Sequence, residues 1–223
     1  ITNIKIDADG LDYTIENEEL HDNKYLYVND NKGTLTEKNI VISFDVNRVE
    51  HQNVEYENID PQKYLGSYSV VPTGLFFYDV IEKNNLTKTN VRGIYDYVLS
   101  GMHYGKPKEI GDKYYSDPWL SPDAKYGDKA VSRDEVVSLY KKAKYEKGNY
   151  TFGNGNSIYA CDIGVGNCTD YHSYFISLSR TLEVPARFHM GFPIPTSNEG
   201  TVDGYHCWAD YYVEGQGWTP VDI

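Results

Sequence analysis

Three residues close to the C-terminal end of this 223-residue chain have the types and the order needed for covalent acyl transfer: Cys168, His206 and Asp222. A cysteine attacks as its thiolate, so it needs a base to take its proton. An imidazole serves well as that base when a third group fixes its tautomer and orientation. Each of the three sits in a local setting of its own. Cys168 lies in Gly166-Asn167-Cys168-Thr169-Asp170-Tyr171-His172, and His206 in Tyr205-His206-Cys207-Trp208-Ala209-Asp210. Asp222 closes Gly217-Trp218-Thr219-Pro220-Val221-Asp222.

Periodicity indicates the elements that must position them. Tyr171, Phe175, Leu178 and Leu182 recur at helical spacing after the cysteine, and Asn167 is a favoured cap type, so a helix is predicted to begin at Cys168. A thiol in the first turn meets unpaired amides and the positive end of the helix dipole, both of which favour the thiolate. His206 lies on an alternating run that reads as a strand. His206, Trp208, Asp210 and Tyr212 share one face, and Cys207, Ala209, Tyr211 and Val213 the other. Cys207 therefore points away from the histidine and is not the expected nucleophile. A three-residue loop of Glu214, Gly215 and Gln216 would pair Val213 with Gly217. The same register then sets Asp222 opposite Trp208, on the His206 face and diagonal to the histidine. A four-residue loop would turn Asp222 to the wrong face, so the triad requires an odd loop or a bulge, which Pro220 would tolerate.

Upstream, residues 1–59 read as β-structure. Tyr25–Val28 and Ile40–Val46 are rich in β-branched and aromatic residues, with turn chemistry at Asn29–Gly33 between them. A small sandwich or sheet packed on the catalytic part is expected. Asp7-Ala8-Asp9-Gly10 lacks the later ligand spacing of a calcium loop and reads as a plain turn. Asp60-Pro61 marks a domain boundary, with 60–223 as the catalytic core. Helices are expected over Leu75–Lys83 and Asn90–Met102, the second capped by Thr89 or Asn90. Residues 105–149 form an insertion broken by prolines, carrying Tyr114, Tyr115, Trp119 and Tyr126. Ser132-Arg133-Asp134-Glu135 within it has the form of a capping box and predicts a helix over Arg133–Lys144. The insertion is expected to border the cleft of Cys168 as a lid or wall, because its far end returns towards the nucleophile.

Composition narrows the function classes. A net charge of −12 and a pI near 4.9 oppose binding to phosphate backbones and anionic lipid, so no nucleic-acid partner is expected. No run of 18 apolar residues is present, which excludes an inserted membrane helix from this sequence. Three cysteines are too few for a disulfide framework. His172 and His189 lack metal-ligand spacing with any cysteine, so neither metal nor cofactor is expected. The 22 tyrosines follow no repeat period, which argues against a solenoid. The chain begins at Ile1 and stops one residue after Asp222, which reads as a trimmed or partial chain without a signal peptide.

Taken with their flanking motifs, these residues resemble the transglutaminase-like superfamily, papain-related proteins with the chain order Cys, His, Asp, and within it a bacterial branch. The resemblance rests on Tyr159-Ala160-Cys161-Asp162, the run Gly166–His172 and the run Arg180–Phe188. It continues through Gly191-Phe192-Pro193, Gly204–Trp208 and Gly217-Trp218, so that it spans about residues 150–223. A weaker match reaches Tyr95–Val98 and Met102-His103-Tyr104. It implies an α+β fold in which the helix carrying Cys168 packs on an antiparallel sheet carrying His206 and Asp222. It further implies cysteine-dependent acyl transfer on carboxamides, chiefly hydrolysis of peptide or isopeptide bonds through a thioester. A glutamine transamidase and a non-catalytic substrate-binding module are the alternatives. An exported protein, periplasmic or extracellular, and a peptide or protein substrate also follow from it. The amide of Cys168 would supply one oxyanion donor. For the second, Phe152 stands where relatives carry an indole, leaving Tyr150, Asn154 and Asn156 as candidates. Asp170 and Arg187 match the family pattern as a buried ion pair or strand anchors, and Trp208 as support beside the histidine.

Overall fold

The computed structural model describes residues 1–33, 36–47, 59–104, 153–193, 200–202 and 204–223, together with the backbone of residues 125–126 and 129–130. The rest of the 105–149 insertion, its expected helix and Tyr150 lie outside the described residues. The chain divides into two compact units, Ile1–Gln52 and Asn53–Ile223.

In the first unit, four strands form two separate two-stranded sheets. Strand β1 (Thr2–Asp7) pairs antiparallel with β4 (Val41–Asp45), and β2 (Asp12–Asn17) with β3 (Lys24–Asn29). The runs expected at 25–28 and 40–46 are therefore strands, but they do not pair with each other. Each finds its partner in an earlier strand whose polar, alternating sequence carries a weaker signal. Asp7–Gly10 is a turn, with the Leu11 amide donating to the Ala8 carbonyl at 3.0 Å. Asp9 and Gly10 both take positive φ there, 51° and 76°.

The second unit is built around one helix. A 3-10 helix at Pro61–Leu65 opens on the Asp60 cap. Helix α1 covers Tyr78–Lys83, shorter than the expected Leu75–Lys83, because Leu75 and Phe76 are exposed and bring no apolar face to the core. Helix α2 covers Val91–Gly101, capped by Asn90, whose side chain accepts from the Gly93 amide at 3.0 Å. Strand β5 (His103–Tyr104) follows, and the short β6 (Lys125–Tyr126) and β7 (Lys129–Ala130) pair with each other. Next come α3 (Ser157–Ile163), β8 (Val165–Gly166), α4 (Cys168–Thr181), β9 (Ala186–Gly191), β10 (His206–Val213) and β11 (Gly217–Val221). The last three strands form an antiparallel sheet in the order β11-β10-β9, and β5 pairs parallel with β8.

The sequence predicts one apolar face for α4, yet nearly the whole helix is buried. It packs against α3, α2 and the sheet at once, so its polar side also needs partners. Ser177 donates to the Ser157 hydroxyl at 2.7 Å and Ser173 to the Thr169 carbonyl at 2.7 Å. Arg180 donates to the carbonyls of Ala186 and Gly66 at 2.8 and 3.0 Å, tying the helix end to the start of β9. The apolar core around it includes Phe175, Ile176 and Leu178 of α4, Ile94 and Val98 of α2, and Ala209 and Val221 of the sheet.

Candidate active site

Cys168 is the first residue of α4, as its spacing predicts. The Asn167 side chain accepts from the amides of Thr169 and Asp170 at 3.0 and 3.4 Å. Asp170 accepts in return from the Asn167 amide at 3.1 Å, which completes a capping box. The Asp170 carboxylate also accepts from Gly153 at 2.8 Å and Gly155 at 3.3 Å. It thus holds the loop before α3 against the start of α4. Burial pushes this carboxyl up to about 6, against the pull of the three amide donors. Asp170 is therefore a backbone anchor bound by three amides. Gly166 fits because a Cβ there would lie 2.5 Å from the Asp170 Cβ.

The histidine and the aspartate meet through the register expected of a three-residue loop. Val213 pairs with Gly217, Tyr212 with Trp218 and Ala209 with Val221. His206 Nε2 lies 2.8 Å from Asp222 Oδ2 and 3.0 Å from Oδ1. Beside a carboxylate acceptor Nε2 is the donor, so in the neutral ring Nδ1 is the acceptor nitrogen. Among the described residues no hydrogen bond joins this ring to the Cys168 thiol. Apo sites commonly hold such bonds loosely until substrate binds.

What joins the helix to the aspartate is His172, which the sequence reading considered only as a metal ligand. It is wholly buried, one turn beyond Cys168. Its Nε2 accepts from the Ile223 amide at 3.0 Å, so Nδ1 is the protonated nitrogen and donates to the Cys168 carbonyl at 2.6 Å. Nε2 also lies 3.9 Å from Asp222 Oδ1. Burial holds this imidazole below its usual pKa, against the opposing bond to Cys168 and the charge of Asp222, and keeps it neutral. The signal available in sequence was its i+4 spacing from Cys168, which places it on the same side of the helix.

Two further groups approach the thiol. Cys207 is fully buried on the helix-facing side of β10, its Sγ 3.5 Å from Thr169 Oγ1. Burial, reinforced by the neighbouring Cys168, pushes its thiol up to about 11. Tyr104 is held near the helix start by the pairing of Tyr104 with Gly166 and by its ring contact with Tyr171 at 5.8 Å. Burial and the proximity of its hydroxyl to the Cys168 thiol raise its pKa, so it stays protonated. The sequence reading assigned Tyr104 no role.

On the other face of β10, Trp208 stacks on His189 at 5.3 Å and on His206 at 6.4 Å. Its indole passes over Gly191, where a Cβ would lie 3.0 Å from the ring. Arg187 pairs with Asp210, Nη2 to Oδ2 at 2.8 Å, and His189 Nε2 lies 2.8 Å from the same oxygen. Burial pushes the Asp210 carboxyl up, but the bonds from His189 and Arg187 outweigh it and hold the group below its usual value. Arg187 also lies over the Trp218 ring at 4.0 Å. It therefore supports the sheet below the site, with Asp210 as its partner in place of Asp170.

Of the oxyanion candidates, Asn156 caps α3, its side-chain oxygen accepting from Ile158 and Tyr159 at 3.0 Å each. That bonding makes Asn156 the cap of α3. Asn154 is exposed.

Residues 120–223 match the transglutaminase-like superfamily. An uncharacterised protein from Haemophilus influenzae is 27% identical over a 114-position alignment, covering 41% of this chain and 31% of that protein. A crystal structure of a candidate cysteine protease from Cytophaga hutchinsonii has a TM-score of 0.55 at 12% identity, covering 99% of this chain and 64% of that one. The periplasmic domain of TgpA from Pseudomonas aeruginosa covers 75% of this chain and 50% of its own at 16% identity, with a TM-score of 0.32. The chain thus spans about a third of the curated relative and under two thirds of the solved structures. Among the described residues no helix is long and apolar enough to cross a membrane. The fold is the papain-like mixture of helix and antiparallel sheet, and the family match supports a cysteine-dependent enzyme. Residues 120–223 of this chain are thus similar to the transglutaminase-like superfamily.

Proposed function

We propose that this protein hydrolyses peptide or isopeptide carboxamides through a thioester on Cys168, with His206 as base and Asp222 as its orienting partner. The observation that carries the reading is the 2.8 Å bond from His206 Nε2 to Asp222, made beside a helix that begins at Cys168. With Nε2 donating to Asp222, Nδ1 is the atom that takes the thiol proton. The sulfur then attacks the carboxamide carbon to give a tetrahedral intermediate, whose oxyanion faces the Cys168 amide. The C–N bond breaks, and the amine leaves with the proton from Nδ1. Water attacks the thioester and gives its proton to Nδ1. The C–S bond breaks, the acid leaves and the thiol is restored.

Export to the periplasm or beyond accords with this reading, as does an uncharged or basic peptide substrate for an acidic chain. The test is to incubate the protein with a labelled peptide library, with and without a primary amine, and to read the products by mass spectrometry. Cleavage that disappears in Cys168→Ala supports hydrolysis. Incorporation of the amine with no cleavage would move the assignment to a transamidase. No product in either arm would leave a binding module.

A further inference from the structure

We infer that His172 is a positioning residue that locks the helix start carrying Cys168 to the strand end carrying Asp222. The inference rests on the triad reading above and adds a member that touches none of the reacting atoms. The two halves of the site come from elements far apart in sequence. Cys168 opens α4, whereas Asp222 lies just beyond β11, where sheet pairing has stopped at Val221. Past that point ladder bonds no longer hold the chain. Asp222 is also 61% exposed at its side chain, so packing restrains it little.

His172 supplies the missing restraint. Its Nε2 takes the amide of Ile223, the residue next to Asp222, at 3.0 Å. Its Nδ1–H reaches the Cys168 carbonyl at 2.6 Å. A single buried ring therefore bridges the backbone of the nucleophile and the backbone beside the aspartate. A neutral ring is required, since only then can one nitrogen donate while the other accepts. The carbonyl of Cys168 belongs to the first turn of α4, where the Tyr171 amide already donates to the Asn167 carbonyl. The bond from His172 thus falls on the turn that presents the thiol. Small displacements at such a junction are expensive, because a shift of about 1 Å in a reacting group can cost on the order of 100-fold in rate.

The test uses p-nitrophenyl acetate as an acyl donor, with the initial nitrophenolate burst counting the competent sites. Three variants separate the two bonds. His172→Leu keeps the bulk and loses both. His172→Asn places a polar atom near Nδ1 only, and His172→Gln places one near Nε2 only. We expect His172→Leu and His172→Asn to lower kcat per active site by about 30-fold, with KM changed by less than about three-fold. His172→Gln, which can still accept from Ile223, should stay within about five-fold of wild type. A role in stability alone would lower the burst and leave kcat per site unchanged. Should His172→Leu fail to fold, the comparison of Gln with Asn decides. Equal kcat per site in Gln and Asn, or wild-type kcat in Leu, overturns the inference. Cys168→Ala and His206→Ala are run beside them. Wild-type turnover in Cys168→Ala would overturn the functional reading itself. Inactive Cys168→Ala with unchanged His172 variants would remove only the link.

Discussion

At the scale of single residues, the site separates two thiols by the elements and faces that carry them. Cys207 is adjacent to His206 in the chain, but it faces α4 and burial raises its thiol to about 11. Cys168 opens α4. Below neutral pH, iodoacetamide should therefore label Cys168 before Cys207, as read by peptide mass mapping. Equal labelling of the folded protein would contradict this. The Asp222 carboxylate fixes which nitrogen of His206 carries the proton, so Asp222→Asn should leave the fold intact while holding the imidazole less well. A loss on the order of 1,000-fold in kcat/KM is expected for that variant, measured with the ester assay. The helix start at Cys168 and the approach of His206 to Asp222 could be read from their local signatures. The roles of His172 and Tyr104 could not, because each depends on an atom of a distant segment: the Ile223 amide for one and the Cys168 thiol for the other.

At the scale of elements, the turn between β10 and β11 and the junction before α4 decide whether the site assembles. Residues 214–216 form the three-residue loop that sets Val213 opposite Gly217. Side chains alternate along a strand, so one added residue in this loop would carry Asp222 to the far side of the sheet. Inserting a single glycine after Gly215 should remove activity while far-ultraviolet circular dichroism stays near that of wild type. At the other junction, Asp170 gathers the amides of Gly153, Gly155 and Asn167. Its carboxyl is raised from 3.8 to about 6 in the folded protein. The folded state therefore holds this proton more tightly than the unfolded chain does. The resulting stabilisation is complete below about pH 4 and is lost as pH rises through 6, up to about 3 kcal/mol in all. Urea unfolding across pH 4–7 should show a steeper decline for wild type than for Asp170→Asn, whose amide does not titrate. Gly166→Ala should destabilise by about 2–4 kcal/mol, since its Cβ would meet the Asp170 Cβ at 2.5 Å with no room to move.

At the scale of the whole molecule, the described residues form one well-buried core, in Asn53–Ile223, while those of Ile1–Gln52 form two small sheets with few buried side chains. Residues 53–223 produced alone should therefore unfold cooperatively on heating, and the chain 1–52 alone should show no cooperative transition, since isolated two-stranded sheets are marginal in water. By itself the sequence determined those features that follow from nearest neighbours along the chain. These are the helix that starts at Cys168, the helix expected over Asn90–Met102 and found at Val91–Gly101, and the alternating faces of β10. Each rests on a repeat of fixed period or on a cap within a few residues, and such signals survive without knowledge of the fold. Pairing of the N-terminal strands, the choice of Asp210 as the partner of Arg187 and the burial of α4 on all sides were decided only by tertiary structure. Those outcomes depend on which segments meet across long stretches of chain, and many segments could satisfy the same local pattern. The ring of His172 belongs to this second group: its spacing from Cys168 is local, but the Ile223 amide that gives it a purpose lies 51 residues away.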